Sequence, residues 1–103
     1  MDTDDLSNET YKAVISTAER FNHDMALPFG CLASECKNDD DYLKKAEQII
    51  KKWQKHKYID DLMDDIFFGN PPERKDFEKT LSNILLNINE VRKISMKERT
   101  FEF

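Results

Sequence analysis

The sequence predicts an all-α fold, a compact bundle of four to five mostly antiparallel helices, with residues 1–103 forming one domain. Three observations predict it. Apolar residues recur at helical steps of three and four in separate stretches, each tracing one face. The chain holds 2 glycines and 3 prolines, too few for the turns of a β architecture. Charged residues make up 36% of it, enough to coat the outer faces of such helices.

Residues 1–7 read as an acidic, flexible leader, after which Ser7 or Asn8 can cap a first helix. Tyr11, Val14, Ile15, Ala18, Phe21 and Met25 trace its face, and it is expected to run to about Asp24. Pro28 lacks an N–H and biases Leu27 away from helical geometry, so a short second helix is expected over 28–36. Lys37, Asn38 and Asp39 are turn-prone and end it.

Asp39 or Asp40 caps a third helix with the face Tyr42, Leu43, Ala46, Ile49, Ile50 and Trp53. Lys51, Lys52, Lys55 and Lys57 crowd its end, where the helix dipole favours cations, and a break is expected near Lys57 and Tyr58. Ile59, Leu62, Met63, Ile66 and Phe67 give a short fourth helix, with Gly69 as its left-handed cap. The longest pattern is the spine, 70–95, where Phe77, Leu81, Ile84, Ile88 and Val91 form the stripe. Asn70 is its expected N-cap, with Pro71 and Pro72 in the first turn and Glu73 reaching back to Asn70. Residues 96–103 read as a flexible tail.

The net charge of −5 argues against nonspecific nucleic-acid binding. Charge alternates along the chain, −7 over 1–41, +5 over 42–58, −4 over 59–71 and +1 over 72–103, as helix-end electrostatics would arrange it. Neither a signal peptide nor an apolar run long enough to span a bilayer is evident, so a cytoplasmic location without membrane partners is expected. Cys31 and Cys36 lie about 140° apart on a helix and read as reduced, buried thiols.

The sharpest motif is Asp60-Asp61-Leu62-Met63-Asp64-Asp65. It contains the letters DDxxD, which resemble the Mg²⁺–diphosphate motif of isoprenoid synthases. The chain lacks the length and the second motif that those enzymes need, so the family is not carried over. Asp60 and Asp64 stack one turn apart, as do Asp61 and Asp65, and the plain reading is a solvated acidic face. Glu19 and Glu35 could add ligands only from other helices, without the paired spacing of a multi-helix metal site.

Zinc spacing is missing from His23, Cys31, Cys36 and His56, and no glycine-rich phosphate loop is present. The apolar setting of Cys31 and Cys36 opposes a nucleophile based on His23. The basic block around Lys44, Lys45, Lys51, Lys52, Lys55 and Lys57 lacks arginine, and Trp53 falls on the apolar stripe, so nucleic acid is not expected there.

Leu86 falls on the polar side of the spine among Lys79, Asn83, Glu90 and Lys93, and Phe68, Phe101 and Phe103 belong to no stripe. These residues suggest a second contact surface, unless Phe101 or Phe103 folds back over Leu86. The expectation is a non-catalytic interaction protein of inhibitor, immunity or adaptor type, without a cofactor. Asp60, Asp61, Asp64 and Asp65 would steer a basic protein or a second copy, and Phe68 and Leu86 would anchor it. The alternatives are a small Mg²⁺-dependent hydrolase using the four aspartates as metal ligands and a structural homodimer through the spine.

Overall fold

The computed structural model describes residues 2–101, with side chains from Asp2 to Ile94. It is an all-α bundle of five rods. The first is built from α1 (Asn8–Tyr11), a π-turn (Lys12–Ser16) and α2 (Thr17–Phe21). It is followed by α3 (His23–Leu32) with a 3₁₀ turn (Ala33–Glu35), α4 (Asp39–Gln54), α5 (Ile59–Ile66) and α6 (Arg74–Phe101). The 28 residues of α6 span about 42 Å at helical rise and run the length of a molecule 49 × 23 × 22 Å.

Both the N-terminal rod and α4 run antiparallel to α6. Ala13 meets Asn87 while Phe21 shares a cleft with Thr80, and Glu47 meets Arg92 while the Trp53 ring lies 6.2 Å from that of Phe77. Phe29, Trp53, Phe77, Phe67 and Phe21 form a continuous chain of rings at 5.5, 6.2, 5.6 and 6.3 Å. That chain ties α3, α4, α6, the end of α5 and α2 into one core, each ring pair adding about 0.5–1.5 kcal/mol beyond its buried area.

Helix boundaries depart from expectation at several places; α6, for one, runs on to Phe101 through most of the stretch 96–103 expected as a tail. The first break falls at Asn22, not at Pro28. Asn22 is extended (φ −164°, ψ 130°), its N–H still serves Ala18, and its side chain accepts from the Asp24 N–H at 2.9 Å, capping α3. Pro28 lies inside α3, and the carbonyl that its missing N–H would have served belongs to the half-buried Asp24. α4 ends at Gln54, earlier than the charge pattern suggests.

The spine begins at Arg74, with the Glu73 carbonyl accepting from the Phe77 N–H at 3.1 Å. Pro71 and Pro72 therefore precede the helix. A proline disfavours helical geometry in the residue before it, so Pro72 keeps Pro71 out of the first turn.

The stretch expected as a free leader is docked. Leu6 is buried, and the Ser7 N–H and the Thr10 hydroxyl both donate to the carboxylate of Asp39 at 3.1 Å. The cap of α4 is Asn38, not Asp39 or Asp40: its side-chain oxygen accepts from the Asp41 N–H at 2.9 Å, which leaves the Asp39 carboxylate to serve the start of α1. The side chains of Phe101 and Phe103 lie outside the described residues.

Candidate interaction surface

α5 is amphipathic over eight residues. Ile59 and Met63 are buried, Leu62 and Ile66 are half-buried, and the spacing turns Asp60, Asp61, Asp64 and Asp65 outward. All four aspartates are exposed, and none forms an ion pair with another described residue. Asp60 and Asp61 lie in the first turn, where the helix dipole favours acids, but each repels its like charge one turn on, at Asp64 and Asp65, by about 0.2–0.5 kcal/mol per pair.

Each end of the helix presents an aromatic ring. At the C-terminal end the Gly69 N–H donates to the Asp64 carbonyl at 2.8 Å and the Asn70 N–H to Phe67 at 3.0 Å. Gly69 is left-handed as expected (φ 79°), but so is Phe68 (φ 53°). A left-handed phenylalanine costs about 1–2 kcal/mol, and Phe68 recovers none of it by burial, being 74% exposed. Phe67, one residue earlier, is the ring that enters the core.

At the N-terminal end Tyr58 is 61% exposed, with Lys57 Nζ 5.6 Å from its ring centroid and its N–H donating to His56 Nδ1 at 3.1 Å. A cleft of about 250 Å³ opens beside it, lined by Lys57, Tyr58, Ile59, Asp60, Asp61 and Arg74. Tyr58 was missed from sequence; its signal was an aromatic falling between two helical stripes.

Leu86 is exposed (63%), but it lies elsewhere. It stands nine residues along α6 from Phe77, about 14 Å from the ring on which Phe67 packs. The residues on its side of α6 are Asn83, Asn87 and Glu90, which line clefts against the N-terminal rod. The four aspartates and Phe68 are thus gathered on one element, and Leu86 is not among them.

The remaining candidates have structural roles or none. Among the described residues no group of three or more His, Cys, Asp or Glu converges as a metal site. Cys31 is exposed, against the expectation of two buried thiols, because α3 turns it away from Met25, Phe29 and Leu32. Cys36 is buried with Sγ 3.3 Å from the Leu32 carbonyl, and burial pushes its thiol up, opposite to the shift that a nucleophile needs. His23 sits 3.6 Å from Glu19 on the surface. In the basic block, Lys45 holds Asp41 and the Glu35 carbonyl, Lys51 holds Glu47, and Trp53 is part of the ring chain. No described helix is long and apolar enough to cross a membrane.

Compared with models of protein families, with curated proteins and with solved structures, the chain matches none.

Proposed function

We propose that the protein is a non-catalytic protein–protein interaction module, of inhibitor, immunity or adaptor type, that presents α5 to a basic partner. The observation that carries this reading is Phe68. An aromatic ring is held in a left-handed conformation, in water, at the end of a helix bearing four unpaired carboxylates. Local folding has no use for that arrangement, since glycine would take the conformation freely. A partner surface has a use for it. Aromatic anchors within a rim of charge are the residues that dominate binding energy, and the carboxylates accelerate encounter with a cationic surface.

The magnesium-dependent hydrolase finds no support in the arrangement of donors, because the four aspartates share one helix and no second element brings a carboxylate to them among the described residues. The test is kinetic. The double reversal Asp60→Lys with Asp64→Lys should slow association with the partner about tenfold or more at low ionic strength and far less at high. An unchanged on-rate removes the electrostatic part of the reading.

A further inference from the structure

The N-terminal rod and α6 leave a groove between them that the α5 surface does not use. It consists of two adjoining clefts, of about 270 and 440 Å³, which share Thr17, Arg20 and Asn87. Lys12, Thr17 and Arg20 line one wall, and Thr80, Asn83 and Asn87 line the other.

The charge of this groove runs against that of the chain. Lys12 and Arg20 make no ion pair with another described residue, whereas Arg74 and Arg92 each hold a glutamate. Glu90, at the edge of the groove, is taken by Lys93 at 3.3 Å. Two cations that face one groove without an ionic partner among the described residues, in a protein of net charge −5, suit an anionic ligand.

The π-turn aligns them. In an uninterrupted α-helix, positions eight apart lie about 80° apart around the axis. The turn Lys12–Ser16 takes up about one extra residue and so brings Lys12 and Arg20 to within about 20° of one line. Along that line their backbones stand about 12 Å apart, the span of about four extended residues.

The opposite wall suits a main chain. Asn87 Nδ2 donates to the Ala13 carbonyl and to Thr17 Oγ1, both at 3.2 Å, which fixes the amide and leaves its oxygen as an acceptor. Asn83 adds an exposed amide, and Leu86 adds an apolar shoulder beside both. From Thr80 to Val91 the wall runs about 16 Å, the length of about five extended residues.

We infer that this groove docks an extended acidic peptide segment of another protein, two of whose carboxylates, four residues apart and so on one face, pair with Lys12 and Arg20. The asparagine amides meet its main chain, and one apolar side chain rests on Leu86. This second surface is independent of α5 and of the basic partner proposed for it.

The test is fluorescence anisotropy with a set of labelled peptides, each carrying two glutamates around a leucine, separated by two to six residues. Saturable binding should be strongest at a separation of four, fall about tenfold or more on Lys12→Glu with Arg20→Glu, and survive Asp60→Asn with Asp64→Asn. Both cations are exposed, so the reversal leaves the core intact, and circular dichroism of the variant checks it. Absence of saturable binding at every separation overturns the inference. So does binding that ignores the reversal or is equal for glutamine-substituted peptides. Self-association of the protein that the reversal abolishes also overturns it, assigning the groove to a second copy.

Discussion

Asn87 and Ala13 are 74 residues apart in sequence and joined by a hydrogen bond of 3.2 Å from the Asn87 amide to the Ala13 carbonyl. The bond falls on the π-turn, where two main-chain carbonyls accept from side chains: Ala13 from Asn87, and Lys12 from Thr17 Oγ1 at 2.8 Å. A local irregularity in the first rod is thereby locked to the middle of α6.

Asn87→Leu is expected to destabilise the fold by about 1–3 kcal/mol, because it removes the amide that donates to the Ala13 carbonyl and to Thr17 Oγ1 between the two helices. Chemical denaturation measures it. Asn83→Leu, one turn away on the groove edge and without such a bond, should change stability by less than about 0.5 kcal/mol.

Phe68 separates stability from function. Phe68→Gly relieves the left-handed strain and, after the entropy that glycine loses on folding, should raise stability by about 0.5–1 kcal/mol. Phe68→Ala keeps the strain and should leave the denaturation midpoint nearly unchanged. Both remove the ring, so both should weaken partner capture alike.

The Tyr42 hydroxyl, fully buried, donates to the Phe29 carbonyl at 2.7 Å, serving one of the orphan carbonyls at the end of α3. Burial pushes its phenol well above the usual tyrosine range. An unfolded chain ionises this tyrosine near pH 10, while the folded one keeps it neutral. Its contribution is therefore present below about pH 10 and is lost as pH rises above that value. Tyr42→Phe should cost about 1–3 kcal/mol at pH 7 and flatten the alkaline limb of a stability–pH curve.

Glu47 clamps α4 to α6 through Arg92 at 2.6 Å. Burial pushes its carboxyl up, but the Arg92 hydrogen bond and charge, helped by Lys51, outweigh that and hold it below the usual range. The resulting stability is present above the ordinary glutamate pKa of about 4.3 and is lost as pH falls through the folded value. Arg92→Met should therefore flatten the acid limb below about pH 5. Asp41, lowered by the Lys37 N–H and by Lys45, titrates in the same direction and should be unaffected by that change.

These predictions differ in how far sequence foretells them. The α5 face was legible because a two-turn helix with a clean stripe leaves its aspartates only one side to occupy. The core face of α6 was legible for the same reason. Pro28 and Pro72 misled because a proline reports only a missing N–H and a restricted neighbour. Whether that ends a helix depends on competitors such as the Asn22 cap, and on the second proline beside Pro71. The π-turn left one trace, three successive buried residues Ala13, Val14 and Ile15, which a regular helix would spread around half its circumference. The groove partners of Arg20 and the remoteness of Leu86 from α5 are tertiary facts. Periodicity assigns a residue to a face of its own helix, not to the neighbour that face will meet.

The most direct measurement of the central reading is capture from source-cell lysate with the tagged protein, at low and high salt, beside Phe68→Ala and a variant with Asp60, Asp61, Asp64 and Asp65 all changed to Asn. The reading predicts one basic protein, retained at low salt, reduced at high salt and lost from both variants while their helical content is unchanged. A partner retained equally by the protein and both variants, or no partner at either salt, would contradict it.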